Sequence, residues 1–328
     1  MTDEDWDERL ARAPEATYFH TRAWAKLVTS TFPHCRDLGH RWIDPESGSE
    51  HLVPLFEWRR FPLLATHHSS FPFLYGGAIP ASDPAQAPVL PRLAKRLARG
   101  DRSMRITGNP FEQLALSMEP IGALDPELER AGYEIRFDTT HVRTLPESDA
   151  AFWEEELTPA RRNDVRRITK KGVVIEETRS LEDADAVYRL YLGSFARWGG
   201  RPGFVHPPAF YRALANDAAI RFTVARHEGR ILGGTFTVRW NAKVHYLAGY
   251  FDPEARSLRP NVLLQIESIR SAIAGGFRWY DFLPSGGIAA VEEFKEGFGG
   301  APLPFPILER RGRLHRLAAR LRPGKPRF

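Results

Sequence analysis

The sequence predicts an α/β protein made of two domains in tandem, each built on a mixed sheet. The chain has 328 residues, of which 42% are hydrophobic and 12% are aromatic, and this is enough for two packed cores of ordinary size. The second half shows helical and strand patterns in the order helix, three strands, helix, strand. The first half repeats this order more weakly. We therefore expect domains over residues 1–145 and 146–308, and a basic tail over 309–328.

The elements of the second half carry clear start and stop signals. Residues 158–172, "TPARRNDVRRITKKG", begin with a threonine cap and a proline and end at a glycine, which is typical of a helix. A second helix is predicted over 183–200, and alternating residues predict three antiparallel strands over 220–251. The most regular helix follows Pro260 and ends at two glycines. The aromatic segment "FRWYDFLP", residues 277–284, predicts the last strand.

The first half has the same kinds of element with weaker signals. Polar turn residues separate its segments, and glycine ends its second helix. The passage between the domains is marked by two strand patterns and a new helix that begins near residue 146. The predicted elements are helices over 20–32 and 89–100 and strands over 37–43, 51–58, 69–77, 103–107, 133–138 and 141–145.

Composition excludes several classes of protein. Cys35 is the only cysteine, which excludes an internal disulfide and any zinc site with several cysteines, and fits a reducing compartment. The N-terminal segment lacks the basic and apolar regions of a signal peptide, and no run approaches the roughly 18 apolar residues that span a bilayer. We therefore expect a cytoplasmic protein. His67 and His68 would point apart on a strand, and HExxH is absent, so no metal site is expected.

The positive charge is concentrated at the C-terminal end. The whole chain carries +5, but residues 307–328 contain eight Lys or Arg and one Glu, which leaves residues 1–306 at −2. Leu314, Leu317 and Leu321 fall at helical spacing, so the tail is predicted to form a short amphipathic basic helix. This helix would either touch an RNA or the inner face of a membrane, or pack its leucines on the preceding domain.

Three stretches of the second half resemble a known family. They are "RRNDVRRITKKGVVIEE", residues 161–177, the segment 249–282 around "RSLRPN", and "FKEGFGG", residues 294–300. Together with the order of elements, they are similar to FemAB-like acyltransferases of the GNAT N-acetyltransferase superfamily, which are built from two such domains. The resemblance is strong over 153–306 and only architectural over 18–144. It implies two tandem GNAT-like N-acyltransferase domains that move an acyl or aminoacyl group onto an amine.

The resemblance also implies a co-substrate rather than a tightly bound cofactor. The donor would be acyl-CoA, acyl carrier protein or aminoacyl-tRNA, and the acceptor would be a small molecule or a cell-wall precursor, as in peptidoglycan or envelope biosynthesis in bacteria. In the superfamily, a loop similar to [QR]xxGx[GA] holds the donor pyrophosphate at a helix N-terminus. Arg256, Arg259 and Asn261 stand in this place and are the candidate donor-binding residues. Arg259 and Asn261 replace expected glycines, which argues against ordinary coenzyme A binding.

Catalytic candidates follow from the resemblance and from the chemistry of acyl transfer. An amine that attacks an ester or thioester creates an oxyanion, which a fixed cation in a water-poor cleft stabilises. The family uses a lysine for this purpose, and it matches Lys295, with Phe294 beside it as a substrate-binding residue. Taken without the family, Lys295 would be an exposed loop lysine. The general base is either Asp281 or one of the pair Glu292 and Glu293. Asp281 is otherwise a strand-end residue that orders the following turn.

Further candidates lie on one strand and on the basic helix. Strict alternation would place Tyr246 and Tyr250 together on one face, opposite His245. We take Tyr250 as a catalytic candidate and Tyr246 as a substrate-binding one. Arg162 and Arg166 suit a phosphate or tRNA backbone, or else they form a solvated face. The alternative function is a non-catalytic adaptor that binds RNA or a membrane through this helix and the tail.

Overall fold

A computed structural model describes residues 2–61, 64–72, 74–81, 89–98, 100, 102–116, 126–197 and 205–321. The chain divides into two compact units. The N-terminal unit comprises residues 1–140 and 303–328, and the C-terminal unit comprises residues 141–302. Both units combine helices with a mixed sheet, which confirms the predicted fold class. The domain bounds that the sequence predicts, residues 1–145 and 146–308, remain a prediction.

The described residues form twelve α-helices and fourteen strands, together with 3₁₀ turns over Tyr18–His20 and Pro253–Leu258 and a π-helical turn over Phe152–Glu156. The helices are α1 (Asp3–Arg12), α2 (Arg22–Thr31), α3 (Leu90–Leu97), α4 (Phe111–Leu116), α5 (Pro126–Arg130), α6 (Asp149–Ala151), α7 (Pro159–Lys170), α8 (Leu181–Arg197), α9 (Pro208–Asn216), α10 (Pro260–Ala274), α11 (Ala289–Glu296) and α12 (Arg313–Leu321). The strands are β1 (Cys35–Asp37), β2 (His40–Ile43), β3 (Glu50–Val53), β4 (Phe56–Phe61), β5 (Leu64–His68), β6 (Ile79–Pro80), β7 (Ser103–Thr107), β8 (Tyr133–Thr144), β9 (Val174–Glu177), β10 (Ile220–His227), β11 (Arg230–Trp240), β12 (Lys243–Phe251), β13 (Trp279–Asp281) and β14 (Ala301–Arg310).

The N-terminal unit contains strands in the order β1-β4-β5-β7-β14 and a smaller sheet, β2-β3-β6. Neighbouring strands are antiparallel except for β5 and β7, which are parallel. The predicted strand over 51–58 is split into β3 and β4, because Pro54 has no N–H to continue the ladder. The predicted strand over 69–77 is wrong. Its described residues form bends and turns around Pro72 and two glycines.

The C-terminal unit contains strands in the order β8-β13-β12-β11-β10-β9, and β8 contributes only residues 141–144 to it. All neighbours are antiparallel except β12 and β13, and α10 lies between these two in the chain, since parallel strands need a crossover. Val262, Ile266 and Ile269 of α10 are buried in one cluster with Val244 and Tyr280 of the sheet. The helices predicted over 158–172, over 183–200 and after Pro260 are found as α7, α8 and α10, while α9 and α11 were not predicted.

The two units share one arrangement of strands. In each of them, a parallel pair is flanked on both sides by an antiparallel neighbour: β4-β5-β7-β14 in the first and β11-β12-β13-β8 in the second. A helix precedes the second strand of each parallel pair, α3 in the first unit and α10 in the second. This common arrangement is what two tandem domains of one fold require, and it explains why the order of elements recurs in the sequence.

Candidate active site

The candidate active site lies at the end of the C-terminal unit's parallel pair. β12 and β13 pair only over residues 243–245 and 279–281, although β12 continues to Phe251. The carboxyl ends of neighbouring parallel strands form the crevice in which α/β proteins usually bind ligands. The chain leaves β12 through the 3₁₀ turn before α10, and it leaves β13 through the segment before α11. Both helices are therefore connected to this end of the strand pair.

A β-bulge in β12 determines which side chains share a face. The register between β11 and β12 shifts by one residue and leaves Leu247 outside the ladder. One extra residue inverts the alternation that follows it. Tyr250 therefore lies on the same face as His245, and Tyr246 lies on the opposite face. The prediction that the two tyrosines share a face is wrong, because the sequence gives no sign of a single-residue bulge.

The two tyrosines have different surroundings. The Tyr211 hydroxyl lies 3.1 Å from the Tyr250 hydroxyl and donates to it, and the Tyr191 ring centre is 5.2 Å from that of Tyr250. The Tyr246 side chain extends along its own strand towards Gly249. A Cβ added at Gly249 would lie only 1.7 Å from the Tyr246 hydroxyl oxygen. Burial raises the pKa of both Tyr246 and Tyr250 above the ordinary range of a phenol. Both phenols are therefore protonated near neutral pH.

Lys295 is buried, with only 3% of its surface exposed. It lies in the last turn of α11 rather than in a loop, because residues 289–296 favour a helix that ends at the following glycine. Its Nζ donates a hydrogen bond to the backbone carbonyl of Leu283. Since Leu283 comes two residues after β13, this contact holds the cation beside the carboxyl end of that strand.

Asp281 is fully buried and accepts a hydrogen bond at each of its two carboxylate oxygens. Nδ1 of His245 lies 2.7 Å from Asp281 Oδ2, and the Leu283 amide nitrogen lies 3.0 Å from Asp281 Oδ1. Burial lowers the pKa of His245, which is also fully buried, so its ring is neutral and its Nδ1 carries the proton given to the carboxylate. Leu283 has a φ of +57°, a left-handed conformation that leucine rarely adopts.

Two arginines contact the turn that follows Lys295. Arg143 Nη1 donates to the carbonyl oxygen of Phe298 at 2.6 Å. The guanidinium carbon of Arg161 lies 4.7 Å from the centre of the Phe298 ring, in a cation–π contact. Burial, and then the neighbouring charge of Arg259, lower the pKa of Arg161. Arg161 and Arg259 thus lie close enough for their charges to interact, which suits an anionic ligand. Arg143, in contrast, pairs with Glu156.

The predicted donor loop contains a residue with a positive φ that is not glycine. Arg259 has a φ of +44° immediately before α10, a conformation that glycine adopts at little cost. Its guanidinium pairs with Asp164 of α7. Asn261 lies in the first turn of α10, and Arg256 is exposed in the preceding 3₁₀ turn. Arg259 and Asn261 thus lie at a helix N-terminus, where the helix dipole favours negative charge.

The arginines of α7 have three different environments. Nη1 of Arg162 donates to three backbone carbonyls within residues 153–157, at 2.6 to 3.0 Å, and so holds the π-helical turn. Arg166 is exposed. Arg161, which was not predicted, is the α7 arginine that reaches the turn after Lys295. Helical periodicity could not have selected it, because the sequence does not fix the rotation of α7 about its own axis.

The basic tail forms α12 on the N-terminal unit. Ser103 Oγ and His315 Nδ1 lie 2.7 Å apart, and the Gly312 amide donates to the same hydroxyl at 2.9 Å, which fixes the start of the helix. Leu314 and Leu317 are each 54% exposed. Each of these leucines therefore leaves more than half of its surface in water, so the predicted packing of the leucines on the preceding domain is incomplete. Residues 322–328 of the predicted tail lie outside the described residues.

No group of three or more His, Cys, Asp or Glu side chains within the described ranges could hold a metal ion. None of the helices formed by these residues is long and apolar enough to cross a membrane.

The comparison with protein families finds an acetyltransferase domain in the same part of the chain as this site. Residues 159–296, from α7 through α11, match the family model for the acetyltransferase (GNAT) domain, and GNAT domains use acyl-CoA as a co-substrate. A comparison with curated proteins found no significant match. The C-terminal unit therefore contains a segment that matches the acetyltransferase (GNAT) domain.

Solved structures define the fold of the whole chain. FemX has a TM-score of 0.66 at 14% identity, with 98% of both chains covered. The C-terminal domain of a protein assigned as a lysylphosphatidylglycerol synthetase from Agrobacterium fabrum has a TM-score of 0.58 at 13% identity, with 97% of this chain and 94% of that chain covered. A tandem GNAT protein from the clavulanic acid biosynthesis pathway has a TM-score of 0.54 at 15% identity, with 94% of each chain covered. The chain is thus FemAB-like in fold, as the sequence predicts.

Proposed function

We propose that the protein transfers an acyl or aminoacyl group from an activated donor to an amine, and that Lys295 stabilises the oxyanion formed on the way. The observation that carries this proposal is the burial of Lys295 at the carboxyl end of β13, with Nζ bound to the Leu283 carbonyl. A cation that is already desolvated and oriented needs no reorganisation when negative charge develops on the reacting oxygen.

The donor would bind with its phosphate groups near the start of α10. Arg161, Arg259 and Asn261 bring cations and a polar side chain to this helix N-terminus, and Arg256 would contact a larger donor. Acyl-CoA, acyl carrier protein and aminoacyl-tRNA all carry such phosphates. The fold shared with a protein assigned as a lysylphosphatidylglycerol synthetase favours an aminoacyl donor and an acceptor from the cell envelope.

The transfer would need one bond formed and one broken. The acceptor amine attacks the carbonyl carbon, the oxygen takes the electron pair, and collapse of the intermediate expels an alkoxide or a thiolate. The Tyr250 phenol, which burial keeps protonated, would give its proton to this leaving group and recover one from the amine. Phe294 and Tyr246 pack against one apolar cluster and would line the acyl side of the crevice.

The Lys295→Met variant tests this proposal. With acetyl-CoA, acetylated acyl carrier protein and alanyl-tRNA as donors and a peptidoglycan-precursor pentapeptide as acceptor, the kcat of the active pair should fall about 100-fold, because one oxyanion donor is typically worth about 3 kcal/mol. The melting temperature should change little. Lys170→Met, at an exposed position of α7, is the matched control. Full turnover by Lys295→Met would contradict the proposal and favour the adaptor.

We also propose that α12 makes peripheral contact with an anionic membrane surface. Its exposed leucines, Leu314 and Leu317, lie beside the exposed residues Arg313 and Arg316. A basic helix that also exposes apolar side chains binds the headgroup region of an anionic bilayer. RNA binding would use the arginines but would leave the leucines in water, so this exposure favours the lipid surface.

A further inference from the structure

We propose that the buried pair of His245 and Asp281 positions Lys295 by holding Leu283 in its left-handed conformation. This inference rests on the proposed role of Lys295 in turnover. The groups form one chain of hydrogen bonds, in which the imidazole of His245 and the amide of Leu283 donate to the Asp281 carboxylate, and Lys295 donates to the carbonyl of Leu283. His245 and Asp281 are therefore positioning residues, since they act through the backbone.

Leu283 is the strained link of this chain. Its φ of +57° brings Cβ close to its own backbone. A residue persists in such a conformation only where its surroundings hold it there. Here Asp281 binds the N–H of Leu283 and Lys295 binds its C=O. The two hydrogen bonds thus hold the strained residue from both sides.

The pairing of β12 with β13 brings His245 and Asp281 together. The two residues are directly opposite each other in the parallel register. Buried Lys243, on the same face of β12, also carries charge near His245 and helps to lower the pKa of its ring. The neutral ring can then donate to the carboxylate and fix its rotation, so that the second carboxylate oxygen faces the Leu283 amide.

This geometry favours a positioning role for Asp281 over a role as general base. Both carboxylate oxygens already accept hydrogen bonds from the protein. A proton taken from the acceptor amine would remove the charge that binds the Leu283 amide, and it would release Leu283 while Lys295 is needed. We therefore assign Asp281 to positioning rather than to proton transfer.

NMR of the lysine ammonium groups tests the proposal without any substrate. The chain has only seven lysines, so labelling with [15Nζ]-lysine gives few signals. Within the described ranges only Lys243 and Lys295 are buried, so their ammonium protons should exchange slowly, and Lys295→Met assigns the second signal. We expect His245→Leu and Asp281→Ala to speed exchange at Lys295 about tenfold or more. His245→Asn, which keeps a donor near the Nδ1 position, should preserve the slow exchange.

Unchanged exchange at Lys295 in folded His245→Leu and Asp281→Ala would overturn the proposal. A third variant, Leu283→Gly, tests the proposal independently if the first two variants fail to fold. Glycine adopts a positive φ without a Cβ clash, so Leu283→Gly should keep a slow Lys295 signal and should reduce the effect of Asp281→Ala. Loss of the slow signal in Leu283→Gly alone would also overturn the proposal.

Turnover of a double variant tests whether the positioning of Lys295 affects catalysis. With alanyl-tRNA or acetyl-CoA as donor, His245→Leu should lower kcat about tenfold and leave KM within about twofold. The same change in a Lys295→Met background should have no further effect, because it acts through the missing ammonium. Additive losses would contradict the positioning role alone. Full activity of Lys295→Met would contradict the proposed function and leave the NMR result intact.

Discussion

At the scale of single residues, burial distinguishes Lys295 from the exposed arginines of the candidate site. Lys295 is buried and hydrogen-bonded, whereas Arg166 is exposed on α7. Removing a charge from water is costly unless the protein supplies partners, so a buried and oriented lysine signals a specific role. Arg161 lies between these extremes, because it is half-buried against the Phe298 ring and close to a second cation.

The first prediction compares two arginines of α7. Arg161→Gln should raise the donor KM about tenfold, because it removes a cation from the proposed phosphate contact, an effect of about 1.4 kcal/mol. Arg166→Gln changes the net charge equally on the same helix but at an exposed position, so its KM should change less than about twofold. Steady-state kinetics with acetyl-CoA and alanyl-tRNA would measure both. Equal effects of the two variants would argue against a specific contact at Arg161.

At the scale of helices and strands, local signals predicted the elements that carry them. α7 has its threonine cap, with the Thr158 hydroxyl 3.3 Å from the Arg161 amide, and α10 has its proline start and glycine end. α9 was missed because two prolines precede its helical residues, although proline suits the first turn of a helix. The sequence does not predict α11, because the glycines after Glu296 are typical of a loop.

The candidate site was predicted only in part, because its key contacts depend on register. Lys295 and Asp281 were named from the sequence, and the structure places both at the end of β13. The partnership of Asp281 with His245 requires β12 and β13 to pair at one particular offset, which no local pattern encodes. The left-handed conformation of Leu283 is equally hidden, since nothing in a leucine predicts a positive φ.

The second prediction concerns the bulged part of β12. Gly249→Ala should destabilise the protein by about 1–3 kcal/mol, because the new Cβ would lie 1.7 Å from the Tyr246 hydroxyl oxygen and 2.5 Å from Cζ of its ring. Gly193→Ala is the matched control in α8, where the nearest atom to the new Cβ is the mobile end of Arg197 at 3.5 Å. It should stabilise the helix by about 0.5–1 kcal/mol.

Urea unfolding monitored by circular dichroism would measure both glycine variants. Equal stability of the Gly249→Ala protein and the wild type would mean that Tyr246 can leave its position along the strand without cost. Such a result would weaken its proposed role as a fixed wall of the crevice.

At the scale of the whole molecule, the tail cannot be removed cleanly. Deletion of residues 309–328 would take away the end of β14, where Glu309 pairs with Arg105. It would also remove Arg310, whose guanidinium donates to three backbone carbonyls of the N-terminal unit. A loss of binding after this deletion would therefore have two possible causes, damage to the N-terminal unit and removal of α12. Substitutions on the exposed face of α12 avoid this problem.

The last prediction uses such substitutions to identify what α12 binds. The double variant Leu314→Gln, Leu317→Gln should bind phosphatidylglycerol vesicles about tenfold more weakly than the wild type, because two half-exposed leucines no longer enter the bilayer interface. Leu192→Gln, at an exposed leucine of α8, should bind like the wild type. Higher salt should weaken binding of all three proteins, since arginines contribute the electrostatic part. If the double variant kept full binding while salt still abolished it, the contact would be purely electrostatic, which would favour RNA over a lipid surface.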